Sequence, residues 1–160
     1  MTSILFCLGF YRYGYTPGFA LIIFFFSLLM VISFIDLEHM VIPDALVIFG
    51  IFTGIINSLY NGYFEGSMIA ISFCFVLLYS ISFIAERIFK KEALGEGDIK
   101  FSIMLGAFLG IERIVTAIFI ASIAGAITGI TLILLKRIKR EDYIPFGPFL
   151  SFGAVMAIFL

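Results

Sequence analysis

From residue 18 to residue 35 the chain carries no charged side chain, and five more apolar runs follow at 43–60, 67–85, 94–111, 114–135 and 144–160. A helix needs about 20 apolar residues to cross a bilayer, with a range of about 17–25. Each run is therefore read as a membrane span. The fourth is unusual. Residues 99–111 are too short to cross alone, and including 94–98 draws Gly95, Gly97 and Asp98 into the membrane boundary. The predicted fold is all-α: a polytopic membrane bundle of about six transmembrane helices, one domain across residues 1–160.

Composition excludes the alternatives. The sequence is 62% apolar and 13% charged, against roughly 45–50% and about 25% in soluble domains. A soluble fold of this size could not hide so much apolar surface, and a disordered chain needs low hydrophobicity and high net charge. A net charge of −1 gives no basic field for nucleic acid. Cys7 and Cys74 stand far apart in apolar stretches and form neither a zinc pattern nor a disulfide framework. Residues 1–10 are apolar too, but Arg12, Gly14 and Pro17 interrupt them, and no small-residue cleavage site marks a removable signal peptide.

Lysine and arginine set the orientation. Arg87, Lys90, Lys91, Lys100, Lys136, Arg137, Lys139 and Arg140 fall after the first, third and fifth spans, with only Arg12 and Arg113 on the other side. The positive-inside rule makes loops 36–42, 86–98 and 136–143 cytoplasmic and puts the N-terminus outside. Ser102, Gly106 and Gly110 recur every four residues, as do Ala121, Gly125 and Gly129. Small residues at this spacing let helices approach closely in lipid, and packing is the expected role of both stripes.

Most acids have ordinary explanations. Glu65 and Glu112 lie in outer turns, and Glu86, Glu92, Glu141 and Asp142 sit among cytoplasmic bases. Asp44 follows Pro43 at the start of a span, where proline suits the first helical position and an acid complements the dipole. Asp36 differs. It ends the first span, where a carboxylate faces the negative end of the dipole, and an ionisable group at membrane depth is a functional candidate. Asp98 closes Gly95-Glu96-Gly97-Asp98. Its two glycines permit backbone shapes closed to other residues and let a substrate backbone approach. Both aspartates fall at the cytoplasmic boundary. A carboxyl pair sharing one proton is the machinery of an aspartic protease: the ionised member activates water and the protonated one hydrogen-bonds the scissile carbonyl.

Other chemistries fit poorly. His39 is the only histidine, so a multi-histidine zinc site has no ligands, and a solvated loop histidine is its expected role. There is no nucleophile-elbow motif and no phosphate-binding glycine loop. Nothing in the sequence calls for a metal or a cofactor.

Three stretches carry a family resemblance. They are Ile35-Asp36-Leu37-Glu38-His39-Met40-Val41-Ile42-Pro43-Asp44, then Gly95-Glu96-Gly97-Asp98-Ile99-Lys100, then Ile144-Pro145-Phe146-Gly147-Pro148-Phe149. In this order, on a chain of six apolar runs, they resemble the type IV prepilin peptidases, membrane aspartic proteases of the Gly-x-Gly-Asp class. The resemblance implies an endopeptidase of the cytoplasmic (inner) membrane, serving the type IV pilus and protein secretion. It would remove the basic leader of prepilins or pseudopilins, cutting after a glycine at the cytoplasmic face. Asp36 and Asp98 would be the catalytic pair, with Gly95 and Gly97 shaping the second motif. Pro43, Asp44 and Lys100 match motif positions whose roles stay open. Many family members add an N-terminal methylating region with paired Cys-x-x-Cys motifs. This chain resembles the peptidase part alone, so no N-methyltransferase activity is expected. Two other readings stand beside the peptidase: an ion or proton carrier using Asp36 and Asp98, and an inactive truncated relative.

Overall fold

The computed structural model describes residues 17–89, 95–137, 139 and 143–160. Cys7, Arg12, Lys90, Lys91, Glu92, Arg140, Glu141 and Asp142, used above for the charge and cysteine arguments, lie outside the described residues, as does Leu94 at the start of the fourth run. Among the described residues all regular structure is helical, in the order α1 Pro17–His39, α2 Asp44–Tyr60, α3 Phe64–Phe89, α4 Glu96–Leu134 and α5 Gly147–Phe159. Three of these, α1, α3 and α4, are long and apolar enough to cross a membrane, while α2 and α5 are shorter apolar helices. The exterior is apolar as well: Phe34, Phe52, Val76, Phe119 and Ile127 are each more than half exposed. Patches of that kind on a small protein mark contact with something other than water.

Helix α4 is the centre of the bundle, packing on α2, α3 and α5. Its Phe101, Met104 and Leu105 are fully buried, as are Phe25 and Ile32 of α1 and Leu150 of α5. Phe25 stacks on Phe108 with ring centroids 4.2 Å apart. Glycines set the close approaches. A Cβ on Gly54 would stand 2.9 Å from the Ala107 methyl, and one on Gly106 3.2 Å from the Ala70 backbone.

The expected spans at 94–111 and 114–135 fall on this single 39-residue helix, which is interrupted at Gly110 (φ 72°, ψ 175°). A straight helix of that length would extend about 58 Å, nearly twice the hydrocarbon core. The contacts show that it does not run straight. Before the break, Lys100 meets Asp44 and Ala107 meets Gly54, so the first arm runs parallel to α2. After the break, Ala117 meets Gly153 while Gly125 meets Phe146 and Phe149, so the second arm runs antiparallel to α5. Because α5 begins beside Asp36 and its Ile158 shares a cavity with Gly18, Tyr63 and Arg113, the second arm returns toward the end where the first began. Gly110 is thus a point of reversal rather than one more packing glycine. Its conformation is open essentially to glycine alone.

The reversal is pinned. Asn57 Nδ2 donates to the Tyr63 hydroxyl, and that hydroxyl donates to the Phe108 carbonyl at 2.9 Å, two residues before the break. A buried carbonyl near a helix break needs a partner of this kind.

Candidate active site

Helix α1 continues one turn beyond the boundary expected at Ile35, so Asp36 lies in its last turn rather than at its end. The helix stops at Met40, whose left-handed backbone (φ 53°) lets its amide donate to the Asp36 carbonyl at 2.9 Å. That is the usual way a helix closes its C-terminus, here without the customary glycine. The chain then runs through Val41 and Ile42 to Pro43. Pro43 is the cap of α2 rather than its first helical residue, with its φ of −67° set by the ring and its carbonyl accepting from Leu46 and Val47. Ile42 is buried against Gly97, where a Cβ would come within 3.1 Å of the isoleucine Cβ. The first two motif stretches are locked together at this contact.

Gly95 caps α4 with ordinary extended dihedrals (φ −66°, ψ 139°), and Gly97 is helical. Neither uses a conformation reserved for glycine, which corrects the expectation from sequence. Close approach is their reason: Gly97 admits Ile42, and Gly95 lies against Asp98, whose Oδ2 would be 3.3 Å from a Cβ there. The Gly95 carbonyl accepts from the amides of Asp98 and Ile99, closing the first turn of α4.

Asp36 is buried, only 5% exposed. Its Oδ2 accepts a hydrogen bond of 2.8 Å from the Gly147 amide. A Cβ on Gly147 would stand 2.7 Å from that same oxygen, so only glycine fits. Gly147 opens α5, where Pro148 follows, and a first-turn amide has no partner within its own helix. The third motif stretch therefore delivers a donor to the carboxylate of the first. One turn earlier, Ser33 Oγ donates to Ser151 Oγ at 2.7 Å and clamps α1 to α5 beside the aspartate.

Asp36, Asp44, Gly95, Gly97, Asp98 and Lys100 line one cleft of about 320 Å³ at this end of the bundle. Pro43 does not line it. Asp36 and Asp98, from α1 and α4, thus face one cleft. Asp44 and Lys100, whose roles were open, form an ion pair of 2.9 Å at the rim, with side chains 63% and 45% exposed. His39 is exposed. The family resemblance includes the stretch around Gly147 but assigns that glycine no role. The signal was a glycine between two prolines at a helix start, where a free amide is to be expected.

Residues 23–130 match the model of the type IV leader peptidase family. The chain belongs to that family. It is 31% identical over 162 residues to the prepilin leader peptidase/N-methyltransferase of Xanthomonas campestris pv. campestris, which covers 99% of this chain and 56% of that protein. It is 33% identical over 132 residues to the protein of the same name from Aeromonas salmonicida, covering 81% of this chain and 45% of the relative. The corresponding Pseudomonas aeruginosa protein is 30% identical over 132 residues, with 81% and 46% covered. The chain thus spans about half the length of the curated relatives it matches. No solved structure matches. The matched family region contains Asp36 and Asp98 but ends before Gly147.

Proposed function

We propose that this chain is an aspartic endopeptidase of the cytoplasmic (inner) membrane that removes the basic leader from type IV prepilins or pseudopilins. One observation carries the reading: Asp36 and Asp98, on helices far apart in sequence, line the same cleft at one end of an apolar bundle. Family membership supports it independently. In the proposed reaction one carboxylate takes a proton from water as its oxygen attacks the scissile carbonyl carbon. The other carboxyl, protonated, donates to the carbonyl oxygen. Collapse of the tetrahedral intermediate breaks the C–N bond: the leaving amine takes the proton that the first carboxylate drew from water, and a hydroxyl of the intermediate returns its proton to the second carboxyl. Gly147 holds Asp36 in place through these steps.

The proposal includes one domain crossing the membrane in six segments, with the cleft facing the cytoplasm and the N-terminus outside. Reversal of α4 at Gly110 supports separate fourth and fifth crossings. Arg87, beside Phe83 of the groove that shares Glu96 with the cleft, and Lys100 lie at the site end, and Arg113 lies at the other. That arrangement agrees with the positive-inside rule.

The test is cleavage by purified chain in lipid of a prepilin bearing its leader, with product termini read by mass spectrometry. Cleavage at a single site, lost in both Asp36→Asn and Asp98→Asn, is the expected result. A well-folded chain that cuts no member of a prepilin panel would overturn the reading, and ion flux through it would point to the carrier.

A further inference from the structure

A cavity of about 210 Å³ lies at the end of the bundle opposite the candidate active site. Phe25 of α1, Phe108 of α4 and Ile158 of α5 give it a buried apolar side. The other side is polar. Asn57 and Asn61 come from the end of α2, Tyr63 from the turn that follows, and Arg113 from the second arm of α4. Asn61 and Arg113 are exposed, so the cavity opens past them.

Two of these groups have donors to spare. Asn57 is only 6% exposed. Its Nδ2 donates to the Tyr63 hydroxyl, and its Oδ1 accepts from Asn61 Nδ2 at 3.1 Å. A carboxamide nitrogen carries two hydrogens, and no acceptor among the described residues takes the second. Leaving a buried donor unused is costly. Arg113 has no ion-pair partner among the described residues. Glu112 lines a neighbouring pocket with it, yet the two make no ion pair. Among the described residues no acid lines the cavity itself. Helix dipoles do not set the sign here, because α1 begins at this end while α2 and α5 finish at it. The guanidinium decides it.

We propose that this cavity binds a phosphate group, with Arg113 and the second amide hydrogen of Asn57 donating to its oxygens. A guanidinium presents a planar fork of donors that matches phosphate. The phosphodiester of a membrane lipid and free phosphate share this chemistry. The apolar side would hold the first carbons of a lipid, and an attached ammonium would find no acid in the lining. Ligand pockets run from about 300 to 1,000 Å³, so this smaller one takes a headgroup rather than a whole lipid. None of these residues lines the active-site cleft, so the site stands whether or not the chain is a peptidase.

Native mass spectrometry of the full chain in nonionic detergent tests the site. The probes are phosphatidylglycerol, phosphatidylcholine and inorganic phosphate. The unaltered chain should retain phosphatidylglycerol better than phosphatidylcholine, and Arg113→Gln should weaken that retention about tenfold. Arg87→Gln, at the other end of the bundle, controls for net charge and should change nothing. A photoreactive phosphatidylglycerol should crosslink through its acyl chain to Ile22 and Leu109, which also line the cavity. Displacement of the lipid by millimolar inorganic phosphate would identify the free anion as the preferred source, and its persistence would identify the lipid. If no lipid is retained, inorganic phosphate must raise the unfolding temperature of the unaltered chain and not that of Arg113→Gln. Retention equal in Arg113→Gln and the unaltered chain, crosslinks scattered over the bundle, or no response to either form of phosphate would overturn the site.

Discussion

The Gly147 amide donates to Asp36 Oδ2 at 2.8 Å, and there is no space between them for a methyl group. In the last turn of α1 this carboxylate faces the negative end of its own helix, which is unfavourable. In the folded chain it also meets the first turn of α5, where the dipole has the opposite sign and the amides lack partners. The start of one helix thus offsets the electrostatic cost imposed by the end of another. Asp36 is held at the cleft by that exchange.

Gly147→Ala is the direct test of this relationship. The new methyl must displace the carboxylate or push α5 away from α1. The expected stability loss is about 1–3 kcal/mol, typical of an overpacked site. Activity should fall further, about 100-fold in kcat/KM, because a misplaced catalytic group is costly well beyond its effect on folding. Peptide cleavage and thermal unfolding on the same sample separate the two effects. Unchanged kcat/KM would mean that the close fit of Gly147 against Asp36 does not set activity.

Gly110→Ala should destabilise the chain by about 1–3 kcal/mol, because the backbone at the reversal lies in a region closed to side chains. The control is Gly66→Ala, where a Cβ meets nothing within 4 Å and the residue is helical. That change should be neutral or slightly stabilising. Chemical unfolding in mild detergent compares them.

Tyr63→Phe removes the hydroxyl that joins Asn57 to the Phe108 carbonyl. Leaving a buried polar group without its partner costs about 1–3 kcal/mol. Hydrogen exchange should rise first around the turn at residues 108–112, before the rest of α4 opens. Uniform exchange across α4 would contradict a local pinning role.

Ser102→Ala should be neutral or stabilising. Its hydroxyl is fully buried and has no hydrogen-bond partner among the described residues, as is also true of Ser67. Removing an unpaired buried hydroxyl while keeping the side chain small relieves a desolvation cost. A loss above about 1 kcal/mol would show that the hydroxyl has a partner after all.

Breaking the rim pair should change little. Asp44 and Lys100 are both well exposed, and pairs of that kind contribute little to stability. A double-mutant cycle with Asp44→Asn and Lys100→Met should give a small coupling that shrinks as salt is added.

Much of the candidate site was legible before any coordinates. Asp36 stood out because a carboxylate ending an apolar helix is electrostatically misplaced, and Asp98 because it follows a paired-glycine stretch at a span boundary. Backbone freedom and room for a substrate were the roles expected of those glycines, whereas Gly95 and Gly97 adopt ordinary dihedrals and lie close against Asp98 and Ile42 of the chain itself. The conformation that only glycine accepts belongs instead to Gly110, which spacing had assigned to a packing stripe. Helical spacing says which residues share a face, but it does not mark where a helix turns back.

The sequence by itself determined the helical class, the apolar exterior and the family, because these depend on the character of contiguous runs and short motifs. Such properties are local. Only the packed bundle shows that Gly147 serves Asp36 across 111 residues of chain and that Asp44 pairs with Lys100. Each of these depends on which helix faces meet. That is set by how glycines and bulky side chains fit together across the whole bundle, and no local pattern in the chain specifies it.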